Sequence, residues 1–276
     1  MGSRNPLVRS LTLVFLAIIV LVEVFPYFWI AITSLKDLPG VIQFPPGLLP
    51  LPPHWENYAQ AWQSGPFVRY FVNSIITTFS ILVIQLFLAC LAGYAFSKLS
   101  FPGRDVCFYI VVACLMVPAQ VRFVPIYIML AKVGLLNTYA ALILPYATSA
   151  LETFLIREAF ASISDRILDA ARIDGASVIQ IIFRIMVPIA KPTIIAFSLI
   201  SVVFHWNDYF WPLVMTTNET VRTLPLGVAL LREEGTGARW HIIMAGNMFV
   251  LVPMVLAFLV AQRHFIRGLT IGGVKG

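Results

Sequence analysis

The 276-residue chain reads as an all-α, polytopic membrane protein with six transmembrane helices. Composition is the first ground: 59% of residues are hydrophobic, 12% are charged and mean hydropathy is +0.88, whereas soluble domains carry about a quarter charged residues. Length of apolar run is the second. Residues 11–34, 71–96, 106–131, 138–160, 187–214 and 241–265 form six such runs, and a helix needs about 20 residues to cross a bilayer. The third is a charged insert between the fourth and fifth runs. Asp165, Asp169 and Asp174 alternate there with Arg166, Arg172 and Arg184. A polar, helix-forming insert between two membrane-length runs belongs in water.

The first run carries Glu23 and lacks a small-residue cleavage site, so it reads as a span and not as a cleavable leader. The outer segment 35–70 follows. Pro39, Pro45, Pro46, Pro50, Pro52 and Pro53 exclude a regular helix over its first half. Trp55, Tyr58 and Trp62 then recur at helical spacing and predict an interfacial helix with aromatics at headgroup depth. The second run opens with Asn73-Ser74 and ends in Gly93-Tyr94-Ala95-Phe96-Ser97-Lys98, where small residues permit close helix packing. The turn Phe101-Pro102-Gly103-Arg104 leads into the third run, and Pro118 and Pro125 predict that this run is broken or kinked.

The charged insert predicts a helix, a break and a second helix. Ser162 or Ser164 can cap the first helix, and Asp165 suits its first turn, where the helix dipole favours negative charge. Ile163, Ile167, Ala170 and Ala171 fall at helical spacing and make one apolar face, with Asp165, Asp169 and Arg172 on the other. Gly175 ends that helix, because glycine takes the left-handed cap freely. Ser177 starts the next, which runs into Val187-Pro188. The small side chains of Ala170 and Ala171 let a partner surface come close.

The fifth run contains His205-Trp206-Asn207-Asp208-Tyr209-Phe210-Trp211-Pro212. The outer segment 215–240 has a polar, glycine-rich tip around Gly235, Thr236 and Gly237, which predicts a mobile finger. Of the nineteen Lys and Arg residues, twelve fall on the side of the termini and the charged insert, against seven elsewhere. By the positive-inside rule both termini and the insert are cytoplasmic. The same rule accounts for the net charge of +6 without nucleic acid.

Ionisable and polar groups within the runs are Glu23, Arg122, Glu152, Asn207 and Asp208. Such groups are costly in lipid. Arg122, Glu152, Asn207 and Asp208 either mark a solute pathway or form interhelical pairs, for example Arg122 with Glu152 or Asp208. Phe204, Trp206, Tyr209, Phe210 and Trp211 either stack on a sugar or form an interfacial belt. Cys90, Cys107 and Cys114 fit no metal spacing and read as small packing residues. His54, His205, His241 and His264 form no metal motif. With no phosphate-binding Gly-x-x-x-x-Gly-Lys-Ser/Thr loop and no Gly-x-Ser-x-Gly turn, neither ATP hydrolysis nor serine catalysis is expected of this chain.

The insert carries Asp169-Ala170-Ala171, three residues, Gly175, nine residues, Ile185, one residue, then Pro188. This resembles the cytoplasmic signature of binding-protein-dependent bacterial ABC importer permeases, with Asp169 in place of Glu and Val187 in place of Leu. Gly134-Leu135-Leu136-Asn137-Thr138-Tyr139, Trp206-Asn207-Asp208 and Gly268-Leu269-Thr270 resemble landmarks of the carbohydrate branch, in particular the shorter permease of the maltose and glycerol phosphate type. The resemblance implies one type I permease domain over 1–276, with a coupling loop at 161–187 and outer loops at 35–70 and 215–240. It implies an ATPase-coupling role for Asp165, Arg166, Asp169, Ala170, Ala171, Arg172, Asp174, Gly175, Ala176 and Pro188. It also implies a second homologous permease, an ABC ATPase dimer holding ATP and Mg, an extracytoplasmic solute-binding protein touched by the finger, and a bacterial inner-membrane location. The chain itself would be a transport subunit with no cofactor and no enzyme activity, importing a sugar or sugar-like solute. The alternative is a stand-alone ion-coupled secondary transporter, which would want internal repeats; none is clear.

Overall fold

The computed structural model describes residues 6–232 and 239–272, with side chains described for 7–232, 239–260 and 262. The finger residues Gly235, Thr236 and Gly237 lie outside the described residues. All regular structure among those described is helical. The chain divides into two compact units: Met1–Phe67 with Gly227–Val252, and Val68–Leu226 with Pro253–Gly276.

The first unit opens with α1 (Pro6–Thr33), exposed along 7–28 and buried only where Ile32, Thr33 and Ser34 end it. An apolar helix exposed all round suits lipid. A short α2 (Leu38–Ile42) follows, started by the Asp37 carboxylate accepting from the Gly40 N–H at 2.9 Å. Beyond the prolines comes α3 (Glu56–Gln63). Asn57 fixes it, donating from Nδ2 to the carbonyls of Ser34 and Lys36 at 2.9 and 2.8 Å. The Tyr58 hydroxyl meets Ser34 Oγ at 2.7 Å. The rings of Tyr58 and Trp62 lie against Phe249, with centroids 6.1 and 5.0 Å away. Tyr58 and Trp62 therefore also serve as packing residues, since a helix this short needs a tertiary face to be stable, while Trp55 and Trp62 are both exposed, at 66% and 38%.

In the second unit α4 (Phe67–Lys98) is unbroken. A 3₁₀ turn, Cys114–Met116, follows α5 (Arg104–Ala113), and α6 (Ala119–Lys132) leaves it at 100°. Pro118 sits at that break, and Val117 before it is extended, as a residue preceding proline prefers. Next, α7 (Tyr139–Ile143) and a 3₁₀ turn meet α8 (Ala150–Ala161) at 46°, with Ser149 capping α8. The insert forms α9 (Asp165–Ile173). A continuous segment then runs through α10 (Val178–Gln180), a π-helical turn at Ile181–Met186 and α11 (Val187–Ile189). It meets α12 (Lys191–Trp206) at 85°.

The fifth run is thus not one helix over 187–214. It starts after the bend at Ala190, where Pro192 suits a first helical turn. It breaks again at Asn207–Tyr209, where Asp208 Oδ1 accepts from the Trp211 N–H at 3.1 Å and opens α13 (Phe210–Met215). Two helices complete the chain, α14 (Leu224–Leu230) and α15 (Trp240–Gly272). Three helices, α1, α4 and α15, are long and apolar enough to cross a membrane alone, and the count is six when each bent pair is one span. Cys90 is buried as a packing residue, but Cys107 and Cys114 are exposed, so the packing role fails for those two.

Candidate coupling site on the charged loop

The core beneath the insert gathers Ala89, Cys90 and Tyr94 of α4, Ile156 and Phe160 of α8, then Ile163, Leu168, Ala171, Ile181, Ile182 and Met186. Gly93 brings α4 against α8: a Cβ there would stand 2.8 Å from Ile156 Cγ2 and 3.2 Å from the Arg157 backbone nitrogen. On this floor α9 lies with Leu168 and Ala171 down. Ile167 and Ala170 point away from it and are exposed. Of the expected apolar face Ile163 and Ala171 are buried, while Leu168 takes the core side in place of Ile167 and Ala170. The face left free presents Arg166, Asp169, Ala170 and Ile173, the last 87% exposed.

The ends of α9 are defined by different chemistry. Ser164 holds the N-cap position, but its side chain makes no capping bond, and Ser162 Oγ turns back to donate to the Ala159 carbonyl. Neither serine caps, contrary to the expectation. Instead Lys98, in the last turn of α4, donates from Nζ to the Ile163 carbonyl at 2.6 Å and to Asp165 Oδ1 at 2.7 Å. Its hydrogen bond and charge hold the Asp165 carboxyl below the usual carboxylate range. At the other end Arg172 donates to the Tyr94 hydroxyl at 3.4 Å and to Asp169 Oδ1 at 2.8 Å. Those two contacts, Tyr94 first, raise the Arg172 pKa. Gly175 follows with φ +82°, the left-handed stop expected of it. Ser177 and Gln180 form a reciprocal capping box that starts α10, as its serine predicts.

Asp174 and Ala176 flank Gly175, and Pro188 lies in α11, where it ends the segment that carries the charged loop back to the spans. Lys98 and Tyr94 were not expected to take part in the site. A lysine closing an apolar run is the one signal of it, and that signal is common to any span end.

Among the described residues the four candidate pathway residues make no hydrogen bond or ion pair with one another. Arg122 is exposed on α6, and among the described residues no ion pair joins it to Glu152 or Asp208, so the pairing raised from the sequence is not made. Asn207 is exposed and donates to the Val203 carbonyl at 2.7 Å. Asp208 Oδ2 accepts from the Tyr146 hydroxyl at 3.2 Å. Glu152 is 0% exposed in α8, with neither carboxyl oxygen hydrogen-bonded. Gln85, not singled out from the sequence, links three elements instead: it donates to the Tyr146 carbonyl at 2.8 Å, accepts from Ser201 Oγ at 2.7 Å and lies 3.4 Å from His205 Nε2. Among the described residues no group of three His, Cys, Asp or Glu side chains could hold a metal.

Residues 85–271 match the family described as "Binding-protein-dependent transport system inner membrane component". The sn-glycerol-3-phosphate transport system permease protein UgpE of Yersinia pestis bv. Antiqua (strain Antiqua) is 33% identical over 263 residues, covering 93% of this chain and 94% of that protein. The arabinooligosaccharides transport system permease protein AraQ of Halalkalibacterium halodurans is 32% identical over 281 residues, 99% of each. Among solved structures, a bacterial ABC transporter involved in the import of the acidic polysaccharide alginate contains a chain with TM-score 0.84 and 24% identity, covering 96% of this chain and 99% of that one. That likeness is one of fold. Helix pattern, loop signature and near full-length relatives agree: the chain belongs to the binding-protein-dependent transport system inner membrane components, as a multi-pass, non-enzymatic permease subunit of an ABC importer.

Proposed function

We propose that this permease forms half of a translocation path for a sugar or sugar-like solute and is driven by ATPase subunits that dock on its loop 161–187. The carrying observation is the free face of α9. Ile173 is 87% exposed on a segment too charged for lipid, and Ile167, Val178 and Ile179 of the same loop are exposed too. Alanine at 170 keeps the surface flat, while Arg166, Asp169 and Asp174 rim it. An apolar centre with a charged rim is how a docking surface is built.

Several further assignments follow from that reading. ATP and Mg belong to the partner ATPase dimer. A second, homologous permease completes the path, and an extracytoplasmic binding protein delivers the solute, with the finger at Gly235–Gly237 facing it. Arg122, Asn207 and Asp208 are the path residues; Glu152, being enclosed, is not on a wall in this conformation. The named substrates of the relatives, sn-glycerol 3-phosphate and arabinooligosaccharides, are both polyhydroxylated, which supports the solute class. The residues 1–276 act as one permease domain with cytoplasmic termini.

The test is to pair Ala170→Trp with Ile173→Asp in the full transporter. The docking reading expects a folded permease from which the ATPase subunits no longer co-purify. Retention of those subunits at the unaltered ratio sinks it.

A further inference from the structure

Three routes connect α9 to the rest of its unit. Two are covalent: residues 162–164 to α8, and 174–177 to α10. The third is a clamp on α4. Apart from the Ser162 Oγ bond back to the Ala159 carbonyl of α8, every side-chain hydrogen bond among the described residues between the 161–175 stretch and another element ends on α4: Lys98 with the Ile163 carbonyl and Asp165, and Arg172 with the Tyr94 hydroxyl. The Lys98 side chain is only 6% exposed, and it reaches the Ile163 carbonyl as well as the 75% exposed Asp165 carboxylate. The grips stand at the two ends of α9, a spacing that resists rotation as well as translation. Between them Leu168 and Ala171 share the core with Ala89, Cys90 and Tyr94.

The route toward α12 passes a glycine at φ +82°, a π-helical turn and an 85° bend at Ala190 before the span begins. Ile181, Ile182, Met186 and Ala190 along it are buried in that same core, but no side-chain hydrogen bond among the described residues ties α9 to α12. We propose that Lys98, Tyr94 and Arg172 are positioning residues that lock α9 to the end of α4, so that α4 is the span driven directly by the ATPase stroke while α12 follows through the bend at Ala190. This rests on the docking reading above. A displacement passes along packed side chains, hydrogen-bond networks and rigid elements.

The experiment uses the assembled transporter with Cys107→Ser and Cys114→Ser, so that the exposed native thiols do not react. One spin label goes on Asp174→Cys. A second goes on Val83→Cys of α4, or in a separate sample on Ile200→Cys of α12; all three positions are exposed. Distances are measured without nucleotide and after trapping with ATP and vanadate. The 174–83 distance is expected to stay constant, while the 174–200 distance shifts by about 2 Å or more, the size of interface helix movements. Lys98→Met, which keeps the apolar stem, should make the 174–83 distance shift too, and Lys98→Arg should restore its constancy. A purely structural lysine would not show that rescue.

A 174–83 distance that changes in the unaltered chain, a 174–200 distance that does not, or a Lys98→Met variant that behaves like the parent overturns the proposal. Failure of the ATPase subunits to co-purify with the unaltered chain removes the docking reading first, and the clamp's role in coupling with it.

Discussion

Glu152 shows how a single side chain can run against its surroundings. Its neighbours on α8 include Ile156 and Phe160, both fully buried, and neither of its carboxyl oxygens finds a donor. A buried polar group without a partner costs about 1–3 kcal/mol, and an apolar group of the same shape removes that cost. Glu152→Met is therefore expected to raise the thermal midpoint of the detergent-solubilised permease. A lowered midpoint would mean that the carboxyl has a partner in another conformation, and that its retention is functional. The residue was legible in the sequence as costly, but not as enclosed. Charge can be read from one letter, whereas burial depends on which way α8 turns. The same limit applies to the buried face of α9. Periodicity alone does not decide between Ile167 and Leu168 as the inward residue, and only the floor formed by Tyr94 and Phe160 does.

At the scale of elements, sequence signals marked breaks that depend on backbone chemistry and missed those that depend on packing. Pro118 announced the 100° break, and Gly175 and Ser177 announced the stop and restart of the insert. The 85° bend at Ala190 follows an ordinary apolar stretch and has no such marker beyond Pro192. The turn between α6 and α7 is the opposite case, a short loop whose chemistry is concentrated in one residue. Asn137 sits at φ 60°, its N–H donates to the Met215 carbonyl at 3.0 Å, and its Oδ1 accepts from the N–H groups of Thr217 and Asn218 at 2.6 and 3.2 Å. Asparagine tolerates the left-handed region better than other side-chain-bearing residues. Asn137→Ala adds backbone strain to lost hydrogen bonds, each worth about 0.5–1.5 kcal/mol, while Asn137→Gly loses only the bonds. Both variants should unfold at lower temperature, with alanine the lower. Proteolysis should also quicken within 216–222, the segment that Asn73 holds from its other side through the carbonyls of Thr220 and Arg222. An alanine variant as stable as the glycine one would show that the strain is not real.

For the molecule as a whole, six spans require that the insert and the segment after α13 lie on opposite sides of the membrane. Helix length makes this a demanding condition. The 16 residues of α12 rise about 24 Å at ~1.5 Å each, short of a hydrocarbon core of about 30 Å. The crossing is complete only if α13 continues it beyond the break at Asn207–Tyr209, which places Thr216 and the residues after it across the membrane from the insert. Charge points the same way: twelve of the nineteen Lys and Arg residues fall on the side assigned to the insert, and positive charge is retained in the cytoplasm. Single cysteines at Asp174 and Asn218, both exposed, can be placed in a background lacking Cys107 and Cys114. A membrane-impermeant maleimide should then label Asp174→Cys only in inverted vesicles and Asn218→Cys only in right-side-out ones. Labelling of both from the same side would mean that α12 re-enters without crossing. The pattern with sides exchanged would put the loop out of reach of any cytoplasmic ATPase, and coupling through α9 would then be physically impossible.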